Sequence, residues 1–170
     1  MTSQHLYFYG HTYRSGDKKV LSNWFQSEFI DPEDSQSYIT SEQYMMAKKA
    51  ALFGDTKTKK AIMVSICPKE AKILGRKVRN FNEQIWTQNA VKIVTRGCFL
   101  KFTQNQLLKE FLLSTGDRPL VEASPYDKIW GIGISIEDAS KGVPWKGQNL
   151  LGECLMTVRQ LIKDGKSYNN

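Results

Sequence analysis

Histidine is scarce in this 170-residue chain: there are two, His5 and His11, both near the start. Neither stands at a metal-ligand spacing from Cys67, Cys98 or Cys154, so no metal site is expected. Three widely spaced cysteines form no disulfide framework. Reduced thiols in a cytoplasmic compartment, or a nuclear one in a eukaryote, are the expectation. No apolar run approaches the ~20 residues of a membrane-spanning helix. The stretch from Met1 to Gly10 lacks a basic head followed by a long apolar segment, so neither a secretory signal nor a membrane partner is expected. Repeats, low-complexity segments and Gly/Ser-rich linkers are also missing. One domain over residues 1–170 is therefore expected, with its core at about 6–163 and a polar tail at 164–170 that frays.

What the chain does have is positive charge. Lysine and arginine number 24 against 17 acidic residues, a formal net charge of +7. Such a surplus suits an anionic partner: phosphate, nucleotide or nucleic acid. The lysines are dispersed, and the denser stretch from Lys57 to Lys60 is what a solvated helix face provides.

The hydrophobic pattern predicts a mainly α domain with a small β component, of the α+β class. Leu6 to Tyr9 reads as a short strand ending at Gly10. Ser15 to Lys19 reads as a polar turn, Asp31 to Ser37 as an exposed loop, and Tyr38-Ile39 as another short strand. Thr40 and Gln43 stand at the two ends of a capping box, predicting a helix to about Phe53 that stops at Gly54. Asp55 can cap a second helix through Ile66, and Pro68 fits the first turn of a third ending near Gly75. Asn82 opens a long helix through Phe102, and Gln104 to Ser114 forms another before Gly116. Leu120 to Glu122 reads as a strand. The glycine-rich stretch from Ser124 to Gly152 shows little periodicity, the mark of a long functional loop. A final helix runs from about Leu151 to Lys163.

Three places could carry chemistry. Glu42 falls in the first turn of its helix, where a carboxylate ordinarily complements the helix dipole. Lys49 follows just under two turns later on the same face, with Met45 and Met46 between. The two are either a surface pair or a base and a nucleophile in a cleft. The run Gly75-Arg76-Lys77-Val78-Arg79 follows a helix end; guanidinium groups beside a glycine turn suit phosphate, and a solvated turn has the same composition. In Ser124-Pro125-Tyr126-Asp127-Lys128-Ile129-Trp130-Gly131-Ile132-Gly133, aromatics flank an aspartate and glycines admit close backbone approach. Trp130 and Trp86 are each either core residues or stacking platforms for a base.

These segments, taken in order, resemble the NADAR (YbiA-like) family from about Leu6 to Leu161. The blocks are Leu21-Ser22-Asn23-Trp24-Phe25, Thr40-Ser41-Glu42-Gln43-Tyr44 running on to Lys49, Gly75-Arg76, Trp86, and Lys101-Phe102. They continue with Leu120 to Asp127, Trp130 to Gly133, and Gly147-Gln148-Asn149-Leu150-Leu151-Gly152. The resemblance implies a mainly helical NADAR fold and N-glycosidase activity without metal or cofactor. It places the family's carboxylate on Glu42, its tryptophan on Trp86, its loop aspartate on Asp127 and its helix lysine on Lys49. Asn23, Gly75, Arg76, Arg79, Trp130, Gly131 and Asn149 are the expected substrate-binding residues. Two substrate classes go with the family: ADP-ribose on guanine in nucleotide or DNA, and the ribosylamino-pyrimidine phosphates of riboflavin synthesis. A pocket that only reads ADP-ribose is the non-catalytic alternative. Gln43 stands where the family often has His, Met46 where it often has Gln, and Lys48 where Gln precedes the motif lysine; these departures bear on substrate choice more than on reaction type.

Overall fold

The computed structural model describes residues 4–168. By their internal contacts the described residues form two compact units: one holds residues 4–25 together with 106–168, and the other holds Gln26–Asn105. Among the described residues no helix is long and apolar enough to cross a membrane.

The Gln26–Asn105 unit begins with a short antiparallel hairpin. In chain order the strands are β1 (Leu6–Phe8), β2 (Phe29–Asp31), β3 (Gln36–Tyr38) and β4 (Leu120–Glu122). β2 and β3 pair antiparallel, Phe29 opposite Tyr38. Four helices follow: α1 (Ser41–Leu52), α2 (Thr56–Met63), α3 (Pro68–Gly75) and α4 (Glu83–Gln104). α1 is the axis, packed by α2, α3 and α4. Its residues Ser41 to Ala47 are therefore buried all round, which a one-sided amphipathic helix would not be. Gly97 lets α4 approach closely: a Cβ there would lie 2.6 Å from the Tyr44 ring.

The helix starts follow their capping residues. The Thr40 hydroxyl accepts the Gln43 N–H at 3.0 Å, Asp55 accepts from Thr58 at 3.1 Å, and Asn82 accepts from Ile85 at 2.9 Å. The Gln43 amide reaches back to the Ile39 N–H at 2.9 Å and donates to the Ile62 carbonyl at 3.1 Å. One side chain thus closes the start of α1 and the end of α2. α2 ends at Met63 rather than at the expected Ile66.

The expected exposed loop at Asp31 to Ser37 is instead the β2–β3 hairpin, and Asp31 is fully buried. Its carboxylate accepts from Arg96 Nη2 at 2.9 Å, Tyr44 Oη at 3.1 Å and the Glu33 N–H at 3.0 Å, and pairs with Lys48 Nζ at 2.7 Å. Lys48 also reaches Asp34 at 2.9 Å, and Arg96 reaches Glu33 at 3.2 Å. Burial alone would raise the Asp31 pKa; the hydrogen bonds from Arg96 and Lys48 overcome it and hold the carboxyl well below its usual range.

In the other unit β1 and β4 pair in parallel, Leu6 opposite Leu120. A 3₁₀-helical stretch, Tyr13–Leu21, occupies the expected polar turn. The remaining helices are α5 (Gln106–Ser114), α6 (Ile136–Ser140) and α7 (Leu150–Lys163). α6 lies within the segment expected as irregular loop. α7 buries Leu151, Cys154, Leu155 and Val158 along one stripe. Val121, Ala123, Ile132, Ile134 and Ala139 form a core beside β4.

Removing the Asp31 carboxylate leaves two cations without their buried counter-charge. Asp31→Ala is expected to destabilise the protein by about 3–5 kcal/mol, read as a lowered urea midpoint.

Candidate active site

Three residues expected to act in chemistry come together around α1. Glu42, in its first turn, is 4% exposed, and Lys49, in its last turn, is half-buried. The Lys49 ammonium lies 4.6 Å from the Phe81 ring centroid and 5.6 Å from that of Trp86. Phe53, the residue that ends α1, braces Phe81 edge-to-face at 5.4 Å. Burial, and then the positive charge of Arg76, push the Lys49 pKa down; the Glu42 carboxylate pulls it back up only in part. A lysine in this setting holds more free amine at neutral pH than an exposed one, which suits a nucleophile.

The other residues of the Gly75 to Arg79 run divide. Arg76 is exposed and close enough to act on Lys49. The Arg79 guanidinium instead pairs with Asp55 at 2.9 Å, and its N–H donates to the same carboxylate at 2.9 Å, locking the α2 cap. Gly75 is the buried last residue of α3, and a Cβ there would run into the Met46 thioether. Its role in the structure is helix packing rather than an open phosphate turn.

The remaining expected residues lie in the other unit. One oxygen of the Asp127 carboxylate accepts the N–H groups of Ile129 at 2.9 Å and Trp130 at 2.8 Å, a turn that fixes the start of the loop. Trp130 is half-buried. Gly131 is buried so tightly that a Cβ would sit 3.0 Å from the carbonyl oxygens of both Asp127 and Glu122. Asn149 adopts a left-handed conformation (φ 57°) just before α7. Its side chain accepts the Glu122 N–H at 2.9 Å and donates to the Leu120 carbonyl at 3.0 Å, so it clasps β4. Asn23 is buried at 7% exposure beside Ser22, whose hydroxyl accepts the Trp24 N–H at 3.1 Å. Among the described residues no group of His, Cys, Asp and Glu is arranged to hold a metal ion.

The NADAR domain profile matches residues 7–163 of the chain. The protein belongs to the NADAR family. It is 45% identical over 167 residues to N-glycosidase R617 of Acanthamoeba polyphaga mimivirus, covering 94% of this chain and 96% of that one. It is 34% identical to N-glycosidase Npun_R5314 of Nostoc punctiforme, covering 75% of this chain and 76% of the relative. The solved structure of Escherichia coli YbiA is similar throughout: TM-score 0.77 at 26% identity, covering 100% of this chain and 92% of YbiA. The mainly helical α+β NADAR fold expected from the sequence is the fold observed.

In this NADAR chain Phe81 lies outside the motif blocks, and Glu122 lies within one but is not among the expected site residues. Phe81 directly precedes the α4 cap Asn82, and Trp86 is the fourth residue of that helix. These are the two positions of a hydrophobic staple, a signal legible in the sequence; here both rings face Lys49. Glu122 lies in a strand whose three residues are all buried, so no alternation marked it. Burial, and then the negative charge of Asp127, raise its pKa to about 8.

Folded protein therefore keeps the Glu122 proton between the ordinary glutamate pKa and about 8, while unfolded chain has released it. Across that window the contribution of this group to stability falls as pH rises, by at most about 1.4 kcal/mol per pH unit. Lys101, fully buried and pushed down to about 8, acts in the opposite sense, and only above that pH. The urea midpoint is expected to fall between pH 5.5 and 8, and Glu122→Gln to flatten that fall.

Proposed function

We propose that this protein hydrolyses the N-ribosyl bond of ADP-ribosylated guanine, on a nucleotide or on DNA. As a NADAR chain with relatives named N-glycosidases, it is a hydrolase of N-glycosyl bonds. The observation that carries the chemical reading is the Lys49 amine, drawn out of water between Phe81 and Trp86 on the helix that also bears Glu42. The net charge of +7 favours the larger anion, with its diphosphate and attached strand, over a small monophosphate.

Breaking a ribosyl C1′–N bond builds positive charge on the sugar. Glu42, in the first turn of α1, is placed where the helix dipole favours a carboxylate, and its negative charge stabilises that state. The free amine of Lys49 attacks C1′. The C1′–N bond breaks, its electron pair leaves with the guanine nitrogen, and that nitrogen takes up a proton. Ring opening gives a Schiff base between Lys49 and the sugar, which water hydrolyses to free ADP-ribose and regenerate the amine. Trp86 stacks on the base, and Arg76 meets phosphate.

The decisive assay offers guanine-ADP-ribosylated DNA and a ribosylamino-pyrimidine phosphate side by side. Wild-type protein is expected to release ADP-ribose from the first, and Glu42→Ala to lose about 10²-fold or more of that rate. Turnover of the pyrimidine substrate alone would transfer the protein to metabolite repair, and binding of ADP-ribose with no turnover would make it a reader. Borohydride is expected to trap a sugar adduct on wild-type protein and none on Lys49→Ala; a fully active Lys49→Ala removes the lysine from the mechanism.

A further inference from the structure

Phe81 is half-exposed, at 46%, in the segment between α3 and α4. An aromatic at such a position adds little to the core. Its ring nevertheless has two defined contacts. Phe53 meets it edge-to-face with an interplanar angle of 66°, and Lys49 Nζ lies 4.6 Å from its centroid. Phe53 stands one helical turn after Lys49, its N–H donating to the Lys49 carbonyl at 3.3 Å. The lysine and the brace of the ring that holds it therefore come from one turn of α1.

We propose that Phe81 is a positioning residue for Lys49, holding the lysine head between its own ring and that of Trp86. This rests on the reading of Lys49 as the nucleophile. A lysine side chain has four rotatable bonds, and two charges act on its head: Glu42 of α1 attracts it, and Arg76, just past α3, repels it. Left to these, the ammonium would swing toward Glu42 or into solvent, away from an attacking position. The faces of Phe81 and Trp86 attract the ammonium form at a fixed place. Loss of the proton weakens that attraction, so the amine is released for attack where it stands.

The ring and the burial act on Lys49 in opposite directions. The aromatic face favours the charged form; apolar cover disfavours it. Phe81→Leu keeps much of the cover and removes the ring, so the charged form loses support and the amine deprotonates at lower pH. Phe81→Tyr keeps the ring and leaves the titration where it is.

The test is an NMR titration of protein carrying ¹³C-labelled lysine, with the Lys49 Cε signal assigned by its absence in Lys49→Arg. The Lys49 midpoint in Phe81→Leu is expected to fall by roughly 0.4–1.5 pH units, and in Phe81→Tyr to match wild type. An unmoved or raised midpoint in Phe81→Leu overturns the proposal. Thermal melting of each variant confirms that the exposed position tolerates the change. The pH dependence of borohydride trapping is read in parallel. A midpoint that moves while the acid limb of trapping stays put upholds the role of Phe81 and removes Lys49 as nucleophile, so the two readings fail separately.

Discussion

A carboxylate with no water around it must be neutralised by what packs on it, and much of the Gln26–Asn105 unit is organised by how Asp31 meets that requirement. Its charge is answered by Lys48 from α1 and Arg96 from α4, with the Tyr44 hydroxyl as a third partner. A hairpin and two helices are tied to one pair of oxygens. The orientation of α1 about its own axis follows from this. Successive helical residues point about 100° apart. With Lys48 committed to the carboxylate, Lys49 is turned toward Phe81 and Trp86. Neighbouring lysines thus serve unlike ends, one ion-paired within the fold and the other set between aromatic rings.

Satisfaction of backbone groups does the comparable work in the other unit. The run Lys128 to Ile132 lies against Lys146 to Leu151 through a series of main-chain hydrogen bonds, among them Gln148 N–H to the Lys128 carbonyl at 2.9 Å and Asn149 N–H to the Gly131 carbonyl at 3.1 Å. A long glycine-rich segment with few helical or strand residues is held this way without regular structure. Asn149 adds its side chain to the edge of β4, and its left-handed backbone turns the chain into α7.

Much of this was legible in the sequence wherever a local rule applied. Thr40, Asp55 and Asn82 act as caps because a short polar side chain must stand at one fixed offset from the N–H it satisfies. The single-stripe burial of α7 follows from its 3.6-residue period. The Asp31 hairpin was not legible. Its burial depends on Arg96, 65 residues away, and nothing near Asp31 separates a buried aspartate from a loop aspartate. The parallel pairing of β1 with β4 is equally non-local. Within the candidate site, Glu42, Lys49 and Trp86 could be named from an ordered motif. Phe81 announced itself only as a staple position, and Glu122 is hidden by the uniform burial of its strand. Arg79 shows the converse: its sequence context suggests phosphate, yet its partner is the carboxylate that caps α2.

The seat of α3 against α1 ties two positions together over evolutionary time. Any side chain at position 75 must displace the sulfur of Met46, so position 75 cannot grow while Met46 stays where it is. A larger residue at 75 requires a smaller or differently turned one at 46. Because Arg76 follows directly on that contact, covariation between 46 and 75 would also carry along the placement of the guanidinium beside Lys49.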